Sequence, residues 1–179
     1  MSQKVLLTAD EINITLHRLA CQLIENHDDF SESALIGIQP RGTFLADRIA
    51  KILQEEYQIS NLKTGALDVT FFRDDFRRSE KILEANTTKI DFLVEGKKVI
   101  FIDDVLYTGR SINAALTAIQ SFGRPVEVEL LTLIDRRFSR HLPIQPDYRG
   151  RKVDAINTEK VKVNWMENAG EDCVYLVNN

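Results

Sequence analysis

Apolar residues Ile12, Leu16, Leu19, Ala20, Leu23 and Ile24 recur at helical spacing behind a Thr8/Glu11 capping box, so the chain opens on an amphipathic helix. Residues 34–38 form a short apolar run, Gln39-Pro40-Arg41-Gly42 is a turn, and Leu45, Ala46, Ile49, Ala50 and Leu53 return to helical spacing. This pattern predicts strand, loop and helix. Residues 67–72 alternate as a strand does, whereas 73–91 are polar, charge-rich and without a period, which predicts a mobile loop or hairpin. Residues 99–102 read as a buried strand that ends in Asp103-Asp104. Ile112, Ala115, Leu116 and Ile119 begin another helical stripe, which Gly123 closes. A further strand is expected over 126–134, with edge strands over 161–165 and 174–177.

Strands that alternate with helices imply right-handed crossovers, hence an α/β protein with a mostly parallel sheet covered on both faces. Such sheets bind ligands beyond the carboxyl ends of their strands, which singles out the loops Gln39 to Gly42 and Asp103 to Ser111. At 179 residues the chain suits a single domain over 1–179. No apolar run is long enough for a membrane span. The first ten residues lack a basic segment followed by an apolar one, so a cytoplasmic protein is expected. Cys21 and Cys173 lie too far apart for a CxxC metal site and are read as structural thiols. The net charge of -4 supplies no global attraction to nucleic acid, so any RNA role needs a local basic patch.

The chemistry concentrates in Val99-Ile100-Phe101-Ile102-Asp103-Asp104-Val105-Leu106-Tyr107-Thr108-Gly109-Arg110-Ser111. Two carboxylates at a strand exit can accept hydrogen bonds from the vicinal hydroxyls of a ribose, directly or through magnesium-bound water. The turn that follows suits a phosphate: helix-start amides, the Thr108 and Ser111 hydroxyls and a close approach at Gly109 form an anion cradle. Carboxylates followed by a cradle describe a sugar phosphate. Two acids alone would equally suit a solvated, helix-capping loop or the phospho-acceptor of a receiver domain; the Thr-Gly-Arg-Ser continuation disfavours both.

These thirteen residues resemble the signature with which type I phosphoribosyltransferases bind phosphoribosyl pyrophosphate (PRPP). Tyr107, where many relatives have a small residue, resembles one branch: the bifunctional pyrimidine operon attenuation regulators and uracil phosphoribosyltransferases. The likeness extends through Leu35-Ile36-Gly37-Ile38 with Arg41-Gly42, Leu67-Asp68-Val69-Thr70 with Arg73-Asp74-Asp75, Gly123-Arg124-Pro125 and Ile134-Asp135-Arg136. It implies the type I phosphoribosyltransferase fold, with a small hood from C-terminal segments. It also implies a magnesium-dependent synthesis of UMP and pyrophosphate from uracil and PRPP. In that family Asp103 and Asp104 would lie against the ribose hydroxyls, Asp104 doubling as a catalytic group, Thr108, Gly109, Arg110 and Ser111 would hold the 5-phosphate, and Val105, Leu106 and Tyr107 would complete the PRPP-binding segment. Arg41 and Gly42 would form the pyrophosphate loop, with Arg41 catalytic. Arg73, Asp74 and Asp75 would open the flexible loop, and Asp135 and Arg136 would stand at the base. Magnesium would be held mainly by PRPP, with no direct protein ligand.

Family members are dimers or larger homo-oligomers, and its regulators bind the leader RNA of pyrimidine genes. The candidates for that second role are His17 and Arg18 on the first helix and Arg140, Arg149, Arg151 and Lys152 in a basic window from 136 to 152. A basic loop facing the substrate explains that window equally well. Two departures from the regulators bear on RNA: His17-Arg18 followed by Cys21 replaces Thr-Arg and a following histidine, and Arg137-Phe138-Ser139-Arg140-His141 replaces a shorter Gly-His segment. Loss of RNA binding or of activity, or a different base such as orotate or a purine, are the alternatives. His27 and His141 receive no catalytic role, and an X-Pro bond at Pro40 permits a cis peptide without requiring one.

Overall fold

A computed structural model describes residues 3–74, 86–156 and 158–178. Its elements run β1 (Gln3–Leu7), α1 (Ala9–His27), β2 (Ser33–Ile38), α2 (Gly42–Glu55), β3 (Lys63–Leu67), a 3-10 turn (Thr70–Phe72), β4 (Lys98–Leu106) and α3 (Arg110–Ala118). A second 3-10 turn (Ile119–Phe122), β5 (Glu127–Arg137), β6 (Tyr148–Asp154), β7 (Glu159–Asn164), α4 (Met166–Ala169) and β8 (Cys173–Asn178) follow.

Five strands form a wholly parallel sheet in the order β3-β2-β4-β5-β6, and three form a small antiparallel sheet in the order β1-β8-β7. Alternate residues of the central strands serve opposite faces. Leu35, Ile100 and Ile102 join the core under α1 and α2, while Ile36 and Phe101 join the core under α3. The capping box at the start of α1 is present: Thr8 N donates to Glu11 Oε2 at 2.8 Å and Glu11 N to Thr8 Oγ1 at 3.3 Å. Gly123 follows the second 3-10 turn at φ 131 and ends the helical run as expected.

Three expectations are corrected. The strand read over 67–72 is instead β3, ending at Leu67, because Asp68 Oδ1 accepts from both the amide and hydroxyl of Thr70 and turns the chain. The basic window, for which a substrate-facing loop and an RNA-contacting patch are equal explanations by sequence, contains a strand, β6, whose Tyr148 and Val153 are buried while its charged residues lie at the sheet edge. The two C-terminal strands do not extend the main sheet; they pair with each other and with the unforeseen β1. Of the predicted loop over 73–91, residues 75–85 lie outside the described residues, and the returning chain makes a bridge between Ala66 and Lys89. The Gln39-Pro40 bond is cis. Cys173 is buried and Cys21 exposed, both as free thiols. Among the described residues no helix is long and apolar enough to cross a membrane.

Candidate active site

β4 carries its backbone pairing past the acid pair: Asp103 lies opposite Thr132 of β5 and Leu106 opposite Asp135. The chain then turns through Tyr107 and Thr108 into α3, with Gly109 at φ 91, a left-handed conformation that an L side chain adopts only at a cost. Gly42 starts α2 directly beside this exit. A Cβ there would sit 2.3 Å from the Ile102 carbonyl oxygen, so only glycine lets α2 approach β4 so closely. Parallel pairing of β2 and β4 therefore sets the Arg41-Gly42 loop next to Asp103-Asp104, residues some sixty positions apart in sequence.

Between them opens a cleft of about 360 Å³. Its walls include Gln39, Pro40, Arg41, Arg73, Asp103, Asp104, Val105, Tyr107, Ser111 and Arg136, and from the small sheet Lys160 and Val161. Asp104 is 7% exposed, and its Oδ2 is buried without a hydrogen-bond partner among the described residues. Arg41 Nε is 3.8 Å from it, an ion pair but too long for a hydrogen bond. Asp103 Oδ1 accepts from the Asp104 amide at 2.9 Å. Removal from water pushes the Asp103 carboxyl well above the usual carboxylate range, and the Asp104 charge adds to it. Burial also raises Asp104, against the opposing pull of Arg41. A desolvated, under-satisfied acid pair of this kind, Asp104 buried and Asp103 half-buried, is stabilised by hydroxyl donors or by a hydrated divalent cation, which fits magnesium. Among the described residues no three His, Cys, Asp or Glu side chains converge as a metal site, so such a cation would draw most of its ligands from water and bound phosphate.

Arg136 is buried, lies with its guanidinium carbon 4.0 Å from the Tyr107 ring centroid, and donates to the Glu159 carbonyl at 3.0 Å. It thus links β5, the turn and the small sheet. Asp135, one residue earlier on β5, points elsewhere and contacts Arg140, with Arg149 at 3.8 Å. Asp74 pairs with Arg110, so the described start of the 73–91 segment reaches the turn; Asp75 lies outside the described residues.

The RNA candidates separate. His17 bonds the Asn13 carbonyl and Glu56, Arg18 donates to the carbonyls of Arg149 and Gly150, and Arg151 donates to that of Leu6. Arg140, Arg149 and Lys152 line a second concavity beside β6. His27 forms a buried chain with Ser33 and Glu129 at the opposite, amino-terminal ends of β2 and β5; Ser33 is 2% exposed, which makes this a structural tie. Sequence reasoning missed Lys160 and Val161. Their alternating Lys-Val-Lys-Val context marked a strand, but only docking of the small sheet brings it to the cleft.

A parallel α/β sheet with an acid pair and a phosphate-type turn at its carboxyl edge defines a class: the phosphoribosyl transferase domain family matches residues 2–167, and the chain belongs to that family. A hypoxanthine-guanine phosphoribosyltransferase from Bacillus anthracis shares the fold at a TM-score of 0.72 and 16% identity, over 97% of this chain and 98% of that one. Within the family, the chain belongs with the proteins named bifunctional protein PyrR. It is 42% identical to the one from Picosynechococcus over 96% of both chains. Against the one from Gloeothece citriformis it is 45% identical, again over 96% of both.

Proposed function

We propose that the chain is a uracil phosphoribosyltransferase that makes UMP and pyrophosphate from uracil and PRPP. The observation that carries this reading is the buried Asp104 Oδ2 beside Asp103, without a hydrogen-bond partner among the described residues, immediately before a turn whose Thr108 and Gly109 amides likewise have none there. Asp103 and Asp104 take the ribose hydroxyls. Thr108, Gly109, Arg110 and Ser111 take the 5-phosphate, with Val105, Leu106 and Tyr107 setting the turn. Arg41 and Gly42 meet the pyrophosphate, Arg73 and Asp74 stand at the entrance, and Arg136 faces the base. Asp135 supports that wall from behind.

The reaction passes through an oxocarbenium-like state at the anomeric carbon as the C–O bond to pyrophosphate breaks and a uracil nitrogen bonds to that carbon. The uracil proton leaves to solvent or to a nearby base, for which Asp104 is the candidate. Arg41 opposes the charge that develops on the leaving group, and the acid pair fixes the ribose so that the nitrogen approaches in line. Asp103 and Asp104 would take the water ligands of a magnesium ion held mainly by PRPP, and the ion would supply neutralisation of the pyrophosphate charge.

A second role rests on the basic residues along β6: the chain also binds the leader RNA of pyrimidine genes in a UMP-dependent way. A single cytoplasmic domain acting as a homodimer or larger assembly, with the small sheet as its hood, completes the proposal.

Incubating the protein with PRPP, magnesium and each nucleobase in turn tests the first role. UMP from uracil alone is expected, and product from orotate or hypoxanthine overturns it. A labelled leader RNA titrated with and without UMP tests the second, which a missing salt-sensitive shift removes.

A further inference from the structure

The segment after β5 grips the turn before α3 from behind. His141 N and Leu142 N donate to the Thr108 carbonyl at 3.0 and 3.3 Å, and Arg140 Nη1 donates to the Tyr107 carbonyl at 2.5 Å. The other amino group of the same guanidinium contacts Asp135, which is 5% exposed. Ile144 and Leu142 fill the space over Gly109.

In a trans peptide the carbonyl and amide of one unit point in opposite directions. The Tyr107 carbonyl shares its unit with the Thr108 amide, and the Thr108 carbonyl shares its unit with the Gly109 amide. Holding both carbonyls toward Arg140, His141 and Leu142 therefore turns both amides away from that segment. Among the described residues neither amide donates to a protein acceptor. Two donors aimed together from consecutive units form an anion nest.

We infer that Arg140 is a positioning residue for the sugar phosphate: anchored by Asp135, it fixes the Tyr107–Thr108 peptides so that the Thr108 and Gly109 amides face the 5-phosphate. This rests on the phosphoribosyltransferase reading of the turn. It assigns Arg140 to substrate alignment, whereas the charge-based reading of the sequence placed it among RNA contacts. A planar guanidinium reaches the carbonyl and the carboxylate at once; a lysine ammonium in its place keeps the charge without the two-point geometry.

The test compares Arg140→Gln, Arg140→Lys and Arg137→Gln with the unaltered protein. Arg137 pairs with exposed Asp154, so its loss removes the same charge from the same face without touching the turn. Steady-state rates and equilibrium dialysis of labelled PRPP with magnesium are the readouts, with thermal melts to establish folding. Both Arg140 variants are expected to raise KM and Kd for PRPP about tenfold while KM for uracil changes less than about twofold, and Arg137→Gln to stay within about twofold throughout. Should Arg140→Gln not fold, Arg140→Lys, which keeps a cation beside Asp135, decides alone. Unchanged PRPP binding in Arg140→Lys, or an equal loss in Arg137→Gln, overturns the inference. Failure of the unaltered protein to use uracil while PRPP binding still depends on Arg140 would remove the uracil reading and leave this one standing.

Discussion

Two pairs of acids in this molecule face opposite circumstances. At the carboxyl end of β4, Asp104 is buried and Asp103 half-buried, with few partners among the described residues, and loss of water raises both. Where α2 meets the small sheet, Glu167 and Asp172 each receive two hydrogen bonds from Arg48, at 2.8 to 3.0 Å. Those bonds lower both acids. The Arg48 guanidinium also lies 4.8 Å from the Trp165 ring centroid, and Trp165 is fully buried. One pair is poised for something to arrive, and the other closes a junction. Raised carboxyls favour folding below the ordinary carboxylate pKa, and that contribution is lost as pH rises through the raised values. Lowered carboxyls do the reverse: their contribution is present above the ordinary value and is lost as pH falls through the lowered ones.

The largest effect expected from breaking this contrast is catalytic. Asp104→Asn keeps the shape and removes the charge, so turnover should fall by roughly ten- to a thousandfold while the protein stays folded. Arg41→Ala should lose turnover on a similar scale, and an unchanged rate in either purified variant takes that residue out of the mechanism. Next comes the junction. Arg48→Ala strips four charge-assisted bonds from two acids and should cost about 2 kcal/mol, a Tm lower by roughly 4 to 8 °C at neutral pH. Because the acids are partly solvated, the loss should shrink in molar salt and at low pH, which melts over a pH series would reveal. Smallest is Asp103→Asn. The amide oxygen can still accept from the Asp104 amide, but the desolvated charge is gone, so Tm at pH 8 should rise by about 2 to 4 °C. That gain should fade toward pH 4, where the native carboxyl is itself protonated; a gain independent of pH would show that charge is not its cause.

Local signals carried the elements that depend on local physics. The Thr8/Glu11 capping box, the apolar stripe of α1, the buried run of β4 and the stop at Gly123 each follow from contacts a few residues apart, and each formed as read. What misled the reading were places where a distant partner decides. Residues 148–154 gave no strand signal because a sheet-edge strand needs few inward side chains, here Tyr148 and Val153. The stretch after Leu67 kept an alternating pattern, yet the Asp68 carboxylate offered Thr70 a turn that ended the strand. Within the site, the acid pair and the turn were legible because they are contiguous. Lys160 and the bracing role of Arg140 were not, since each reaches the cleft or the turn only through docking.

The sequence alone therefore determined the helices and buried strands, the order of acid pair and phosphate turn, and the likeness to its family, because these are written in adjacent residues. Tertiary structure decided which acids are left without partners and which are closed off by Arg48. It also decided which arginines face outward and which hold the backbone of the turn. Burial and hydrogen bonding are properties of surfaces brought together from distant parts of the chain, and a carboxylate carries no mark in its own neighbourhood of the water it will lose.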